Sequence, residues 1–300
     1  GTEIDKNIIN FEYFVNSNTT SGLSNAGTYL INWSVNNSDF VGSGVETVTI
    51  SPKSVTLSYE NTYAVYSGLT QNISVLCDDQ NLNDNEKARL SFVVKYYLAQ
   101  DLENEIESVI NAGNYVAMVS LNNSNYVITN SVVDFEVSKK IIQVTMVSKS
   151  EFDYNGNIQN IEYTLSENVS SIVNYYKVID SVKTLVNFEN AGEYYYEILP
   201  EDTLNYVFEN NEGQCKVNKV AVTIELTKTT YDYTGTELTR KDIQFLSKNA
   251  QGEIVNVLGL YLKSYTLVGD QLIETSLFDE NTYTIEFDTT NENYILNSIT

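Results

Sequence analysis

Histidine is absent from this chain of 300 residues, and basic residues are scarce, with 17 Lys and Arg against 40 Asp and Glu. Without histidine there is no Ser-His-Asp or Cys-His nucleophile pair, and zinc loses its commonest nitrogen ligand. Carboxylate pairs alone do glycosidase-type acid/base work, but the acids here are scattered along the chain. The expectation is a protein that is not an enzyme, with no catalytic residues. A net charge of −23 excludes nucleic acid, whose phosphates need Lys and Arg, and equally an anionic membrane surface. No apolar run reaches the ~18 residues of a membrane span, so no membrane insertion is expected. Two prolines leave no Pro-rich linker; no signal peptide opens the sequence, which does not make the protein cytoplasmic, since a mature secreted chain would have lost it. The only cysteines, Cys77 and Cys215, stand at non-equivalent places and are expected to be two buried thiols rather than a disulfide.

What is present is aromatic and repetitive. The 23 Tyr and 11 Phe favour strands over helices. Asn25-Ala-Gly-Thr-Tyr29, Asn111-Ala-Gly-Asn-Tyr115 and Asn190-Ala-Gly-Glu-Tyr194 are versions of one motif, and Glu280-Asn-Thr-Tyr283 is a fourth. Each is followed by a second aromatic, Phe40, Tyr126, Tyr206 and Tyr294, at intervals of 11, 11, 12 and 11 residues. Such regular spacing marks a structural unit repeated along the chain.

A Gly-x-Tyr opening an alternating apolar run resembles the tyrosine corner of immunoglobulin-like (Ig-like) sandwiches, in which a strand-initial Tyr hydrogen-bonds back to the preceding corner. Tyr29, Tyr115, Tyr194 and Tyr283 are the expected corner residues, with the Gly permitting a tight or left-handed entry. Leu23, Ile110, Phe188 and Phe278 are the expected apolar plugs beneath them. After Tyr115 the run Ala117, Val119, Leu121 alternates with period two, and Asn122–Asn125 reads as a hairpin turn.

A second marker, Tyr66-Ser-Gly68, Tyr154-Asn-Gly156 and Tyr233-Thr-Gly235, recurs at 88 and 79 residues, and the four corner tyrosines recur at 86, 79 and 89. Two markers with one period divide the chain into Ig-like repeats at 52–138 and 139–218, a first at 1–51 lacking its opening strands, and a last at 219–300 lacking its closing strand. The fold class is all-β: tandem Ig-like β-sandwiches in a linear rod, with small β-grasp-like units as the alternative. At each junction strand runs into strand with a Lys at the turnover and no flexible linker, so free swinging is not expected.

The order of strand, Tyr-x-Gly, Ala-Gly-x-Tyr, Asn-Tyr and a strand leading into the next unit resembles the MBG-type repeats of bacterial surface proteins, which are similar to bacterial Ig-like domains. The likeness spans nearly the whole chain, departing at Phe40 and Asn281. It implies extracellular, cell-surface architecture such as the stalk of an adhesin. The expected function is therefore a structural stalk or spacer, partnered by neighbouring domains or subunits of the same surface protein. One alternative is a filament or surface-layer subunit completed by strand addition. The other is a carbohydrate-binding module taking host or cell-surface glycans on exposed tyrosines.

The densest acidic stretch is Asp78–Glu86, where Asp79, Asn81, Asn83 and Glu86 offer oxygens of the kind calcium accepts. It lacks the glycine and distant Glu of an EF-hand and occurs once, so it reads first as a solvated loop between strands, with calcium as the weaker candidate. No other cofactor is indicated. Lys95 and Lys177, among apolar residues and tyrosines, are the lysines placed for an isopeptide bond. Six Asn-x-Ser/Thr sequons, at Asn18, Asn32, Asn36, Asn72, Asn122 and Asn168, suit glycosylation in a host that performs it.

Overall fold

The structure is a computed structural model, and it describes residues 5–297. It is all-β: among the described residues the helical elements are a 3-10 turn at Lys6–Ile8 and one short α-helix, Asp84–Lys87. The chain divides into two compact units, Gly1–Lys140 with Leu204–Tyr206, and Ile141–Thr203 with Val207–Thr300.

The first unit contains two main sheets. One is antiparallel and four-stranded, running Asn18–Thr20, Ile9–Val15, Gly27–Asn36, Val41–Ile50. Asn16 and Ser17, both with positive φ, form the two-residue turn that joins its first pair, the geometry that matches strand twist. Trp33 lies directly across from Gly44, where a Cβ would meet the indole at 2.6 Å, so only glycine lets that ring lie flat on the sheet.

The second sheet is five-stranded: Asp101–Ile106, Phe92–Leu98, Gly113–Leu121, Val132–Ser138, Tyr63–Val65. The last pair is parallel, so the strand that closes the motif lies beside one that opens it. Val55, Leu57, Ile73 and Val109, from short strands and loops on the opposite layer, pack against Tyr96, Tyr115, Ala117, Phe135 and Val137. This is a sandwich with one continuous core.

The second unit repeats the design. Val182–Leu185, Ser171–Ile179, Gly192–Pro200, Glu212–Asn218 and Glu151–Asp153 form a five-stranded sheet in the same order, again with a parallel last pair. Along Gly192–Pro200 the buried residues Tyr194, Tyr196, Ile198 and Pro200 alternate with more exposed ones, as a pleated strand against a core requires. Phe188 is fully buried, stacked on Tyr175 at 4.7 Å and edge-on to Tyr194 at 4.9 Å. A third group in this unit pairs Leu260–Val268 with Gln271–Glu274 and Thr284–Thr289. Facing it are Phe245–Asn249, Val220–Leu226 and Tyr294–Asn297, with Val222, Ile224, Ile243, Leu277 and Phe287 in the core.

All four corner tyrosines donate to the carbonyl four residues upstream. Tyr29 reaches Asn25 at 2.8 Å, Tyr115 reaches Asn111 at 2.7 Å, Tyr194 reaches Asn190 at 2.6 Å and Tyr283 reaches Asp279 at 2.9 Å. With the two-layer cores, these bonds make the architecture tandem and Ig-like.

Three details differ from expectation. The plugs under the second and fourth corners are Val109 and Leu277, both buried, whereas Ile110 and Phe278 are exposed. The plug sits six residues before the Tyr, and its neighbour faces away. A left-handed Gly is not common to the corners: Gly27 and Gly192 have positive φ, but Gly113 does not. It is the Tyr-x-Gly glycines, Gly68, Gly156 and Gly235, that share φ of +75°, +77° and +73°, which disfavours any other residue. Finally, both cysteines are free, but only Cys215 is buried; Cys77 is half-exposed.

Candidate functional site

The feature that recurs with the same chemistry is a clasp built on the asparagine preceding the second aromatic: Asn125, Asn205 and Asn293. In each, Oδ1 accepts the backbone N–H of the alanine in an earlier Asn-Ala-Gly-x-Tyr motif. Ala26 donates to Asn125 at 2.6 Å, Ala112 to Asn205 at 2.8 Å and Ala191 to Asn293 at 2.6 Å. The same amide donates from Nδ2 to the motif asparagine, reaching Asn25 at 3.0 Å, Asn111 at 3.2 Å and Asn190 at 3.0 Å. Two bonds in opposite senses fix both position and roll of the amide, and they assign its O and N without ambiguity.

The clasp is held in place by local structure. The N–H groups of Asn125 and Asn293 donate to the side chains of Asn123 and Asn291, closing a tight polar turn. The carbonyls of Asn125, Asn205 and Asn293 accept from the N–H of Lys53, Lys140 and Val220, at the start of earlier strands in the chain. The motif asparagine is equally constrained, because its own carbonyl is the corner tyrosine's acceptor. One residue thus serves the corner with its backbone and the clasp with its side chain.

Tyrosines reinforce two of the three clasps. Tyr66 packs edge-on against Tyr206 at 5.3 Å and 85°, and Tyr154 against Tyr294 at 5.5 Å and 86°. Edge-to-face pairs are the favoured aromatic geometry and add about 0.5–1.5 kcal/mol beyond burial. Asn205 and Asn293 are buried, while Asn125, with no tyrosine pair beside it, is half-buried. Burial shields the amide bonds from competing water and raises the cost of leaving them unmade. Every group in the clasp is a neutral amide, phenol or backbone unit. In so acidic a chain the contact is therefore independent of salt screening and of carboxylate titration.

The sequence shows Asn125 as the end of a polar turn and the Asn-Tyr pairs as repeat markers, without a partner for any of them. Their partners lie 99, 93 and 102 residues upstream, beyond any local pattern. One signal was available. Asn-Ala stands in three motifs, and Asn immediately before Tyr stands in three later hairpins, each one motif downstream.

The acidic loop is engaged with the protein itself. Asp79 accepts from the Thr56 N–H at 2.9 Å and from Asn81 at 2.8 and 2.9 Å, and these bonds, Thr56's first, hold its carboxyl below the usual range. Asn83 caps the helix Asp84–Lys87 in a reciprocal capping box with Glu86. Glu86 also pairs with Lys53 at 2.9 Å; its carboxyl is lowered by the Asn83 N–H and then by that lysine. The structure thus brings Asp79 to Asn81 and Asn83 to Glu86, as two separate pairs. Among the described residues no group of three or more Cys, Asp or Glu is placed to hold a metal ion.

The two lysines are also placed. Lys95 forms a solvent-exposed ion pair with Glu105 at 2.6 Å, and Lys177 lies over the Tyr194 ring at 4.2 Å. Burial pushes the Cys215 thiol up to about 12, so it is an unreactive core group. Burial likewise pushes the Tyr175 phenol up to about 12.

No family model matches the chain, and no curated protein sequence is similar to it. Among solved structures it is similar to the N-terminal eight Ig domains of Down Syndrome Cell Adhesion Molecule isoform 1.30.30, at 11% identity and a TM-score of 0.24. That likeness covers 95% of this chain, which spans 42% of the length of that one. The N-terminal four Ig domains of Dscam1 isoform 4.4 give 9% identity, a TM-score of 0.18 and coverage of 97% and 92%. A Bacteroides ovatus mixed-linkage glucan utilization protein, SGBP-B, solved with a mixed-linkage heptasaccharide, gives 11% identity, a TM-score of 0.16 and coverage of 96% and 83%. No helix among the described residues is long and apolar enough to cross a membrane.

Proposed function

We propose that this chain is a structural spacer of an extracellular surface protein, built of repeats at 1–51, 52–138, 139–218 and 219–300. The observation that carries the reading is the clasp, made three times with the same two amide bonds. A protein whose task is to bind or transform a ligand has no need to specify the same contact at every junction. A spacer does, because its working property is how firmly each repeat holds the next. The resemblance to MBG-type repeats agrees with this role and with a bacterial cell surface.

The clasp joins neighbours through neutral, partly buried groups, so the connection persists across the salt and pH of an extracellular setting. Stability then follows the logic of repeat arrays, a term for each repeat plus a term for each junction. Single-molecule force spectroscopy tests the reading. The chain should resist load and lengthen in discrete steps, with the repeats at 52–138, 139–218 and 219–300 each releasing about 80–90 residues, in line with a small sandwich unit. Smooth extension at low force, without steps, would refute a load-bearing role.

A further inference from the structure

The three Tyr-x-Gly turns share a glycine of positive φ and differ in the middle residue: Ser67, Asn155 and Thr234. Asn155 alone carries an amide, and Asn155-Gly156 is the one Asn-Gly pair in the sequence. The Cγ of an asparagine is open to attack by the backbone nitrogen of the next residue, which closes a five-membered ring. Holding both atoms in one chain gives such a reaction a large rate advantage. What the surroundings decide is access to the nitrogen and stabilisation of the charge that develops.

Access is present. Asn155, Gly156 and Asn157 are all exposed and lie outside any strand. Gly156 has no Cβ to crowd its nitrogen, and a Cβ built there would approach only the Tyr154 hydroxyl, at 3.9 Å. Among the described residues its N–H has no acceptor, so no hydrogen bond has to break before the nitrogen attacks.

Charge stabilisation comes from one neighbour. The Asn157 N–H donates to Asn155 Oδ1 at 2.9 Å, and Asn157 Nδ2 donates to the Asn155 main-chain carbonyl at 3.3 Å. The first bond sits on the oxygen that becomes an oxyanion as the ring closes. The second sits on the other carbonyl of the closed ring. Donors aimed at the place where charge develops lower the barrier to reaching it.

We propose that Asn155 is a site of spontaneous covalent modification, and that its conversion loosens the tyrosine contact beside it. The Gly156 nitrogen bonds to Asn155 Cγ and gives its proton to water. The Cγ–Nδ2 bond breaks, and Nδ2 takes a proton from water and leaves as ammonia. Water then opens the resulting succinimide at either carbonyl. Attack at Cγ leaves aspartate; attack at the main-chain carbon leaves isoaspartate, whose backbone runs through Cβ and Cγ and is one carbon longer. Both products add a carboxylate beside Asp153, in a chain already at −23. The altered backbone lies between fixed points. On one side the Tyr154 N–H is held by the Asn218 carbonyl at 3.0 Å, and on the other the buried Gln159 donates to the Asp153 carbonyl at 3.0 Å. The half-buried Tyr154 ring, edge-on to Tyr294 at 5.5 Å, is what has room to move. Ser67 and Thr234 have no amide to lose, so the change falls on one turn of the three.

The whole chain, held at mildly alkaline pH, is sampled over weeks by peptide mapping with mass spectrometry, and isoaspartate is detected by enzymatic methylation. Asn37 and Asn123 are internal controls. Their Oδ1 atoms also accept the N–H two residues on, at 3.0 Å each, but they precede Ser38 and Ser124. Asn155 should convert several-fold faster than either, and no more slowly in the folded chain than in guanidinium. Converted protein should unfold at a lower urea midpoint than fresh protein. Asn155→Gln, whose longer side chain would have to close a six-membered ring, should keep its midpoint over the same period. Conversion of Asn155 no faster than that of Asn37 or Asn123, or slower folded than in guanidinium, overturns the proposal. So does an unchanged midpoint in fully converted protein, because the tyrosine contact would then not depend on this turn.

Discussion

Replacing Asn293 by Ala removes the clasp of the second unit and leaves both partners behind. Two side-chain hydrogen bonds disappear, each worth about 0.5–1.5 kcal/mol net. The Ala191 N–H, which donates to Asn293 at 2.6 Å beside a buried amide, loses its acceptor. An unpaired donor shielded from water costs about 1–3 kcal/mol by itself, a cost that overlaps with the lost bonds rather than adding to them. The expected loss is therefore about 2–3 kcal/mol, or a melting point lower by about 4–12 °C for a unit of this size. Urea denaturation should show a lower midpoint, and a broadened or split transition if the contact is what couples neighbouring sandwiches. Two variants sharpen the test. Asn293→Asp keeps the acceptor for Ala191 but sets a carboxylate against the Asn190 side-chain Oδ1, so it should destabilise as well. In a cycle with Asn190→Ala the two losses should be less than additive, with a coupling of about 0.5–1.5 kcal/mol. A loss under about 0.5 kcal/mol for Asn293→Ala, the range of inert surface changes, would refute the clasp as an energetic contact.

Other outcomes follow from the same geometry. The half-buried Asn125→Ala should cost less than either Asn205→Ala or Asn293→Ala, a ranking that urea midpoints would check. Tyr115→Phe and Tyr194→Phe should each cost about 0.5–1.5 kcal/mol by loss of the corner bond, and unchanged melting of both would rule that out. Gly156→Ala has room for its Cβ but must hold φ near +77°, so strain alone should cost about 1–2 kcal/mol in the same assay. Cys215 and Tyr175 hold their protons more tightly folded than unfolded, so the stability they contribute should be constant up to about pH 9, the unfolded thiol value, and fall between there and about pH 12. A melting point that rises with pH over that window would contradict their burial. Calcium added in the millimolar range should leave the melting point unmoved, since Asp79 and Glu86 already bond to Thr56, Asn83 and Lys53. A rise that chelator reverses would show the loop opening to take the ion.

Much of the fold was legible because strands write their burial locally. The alternation after Tyr194 and the Gly-x-Tyr entry each depend on residues within a few positions of one another. The plug was misread at Ile110 and Phe278 for the same reason. Two adjacent apolar residues, Val109 and Ile110 or Leu277 and Phe278, present the same local pattern, and only the course of the chain decides which points inward. The glycine of Tyr-x-Gly looked like a spacing marker, whereas its left-handed backbone turns the chain out of the opening strand. The clasp was not legible locally at all, because its two halves are about a repeat apart and both are made of asparagine. In a chain so rich in that residue, a specific partner looks like any turn.

Each clasp asparagine is bound through its backbone to an earlier strand, which begins at Lys53, Lys140 or Val220, and through its side chain to a motif about a hundred residues earlier. Its orientation depends on a closed hairpin, so the docking surface does not exist until that hairpin has formed. The receiving motif, fixed by its corner tyrosine, is complete much sooner along the chain. A polypeptide emerging from its N-terminus would therefore present a finished socket first and the matching plug a full repeat later. Assembly acquires a direction: each folded sandwich waits as a template on which the next one seats, so misregistered pairing of a late hairpin with the wrong neighbour is disfavoured by order of arrival as well as by fit.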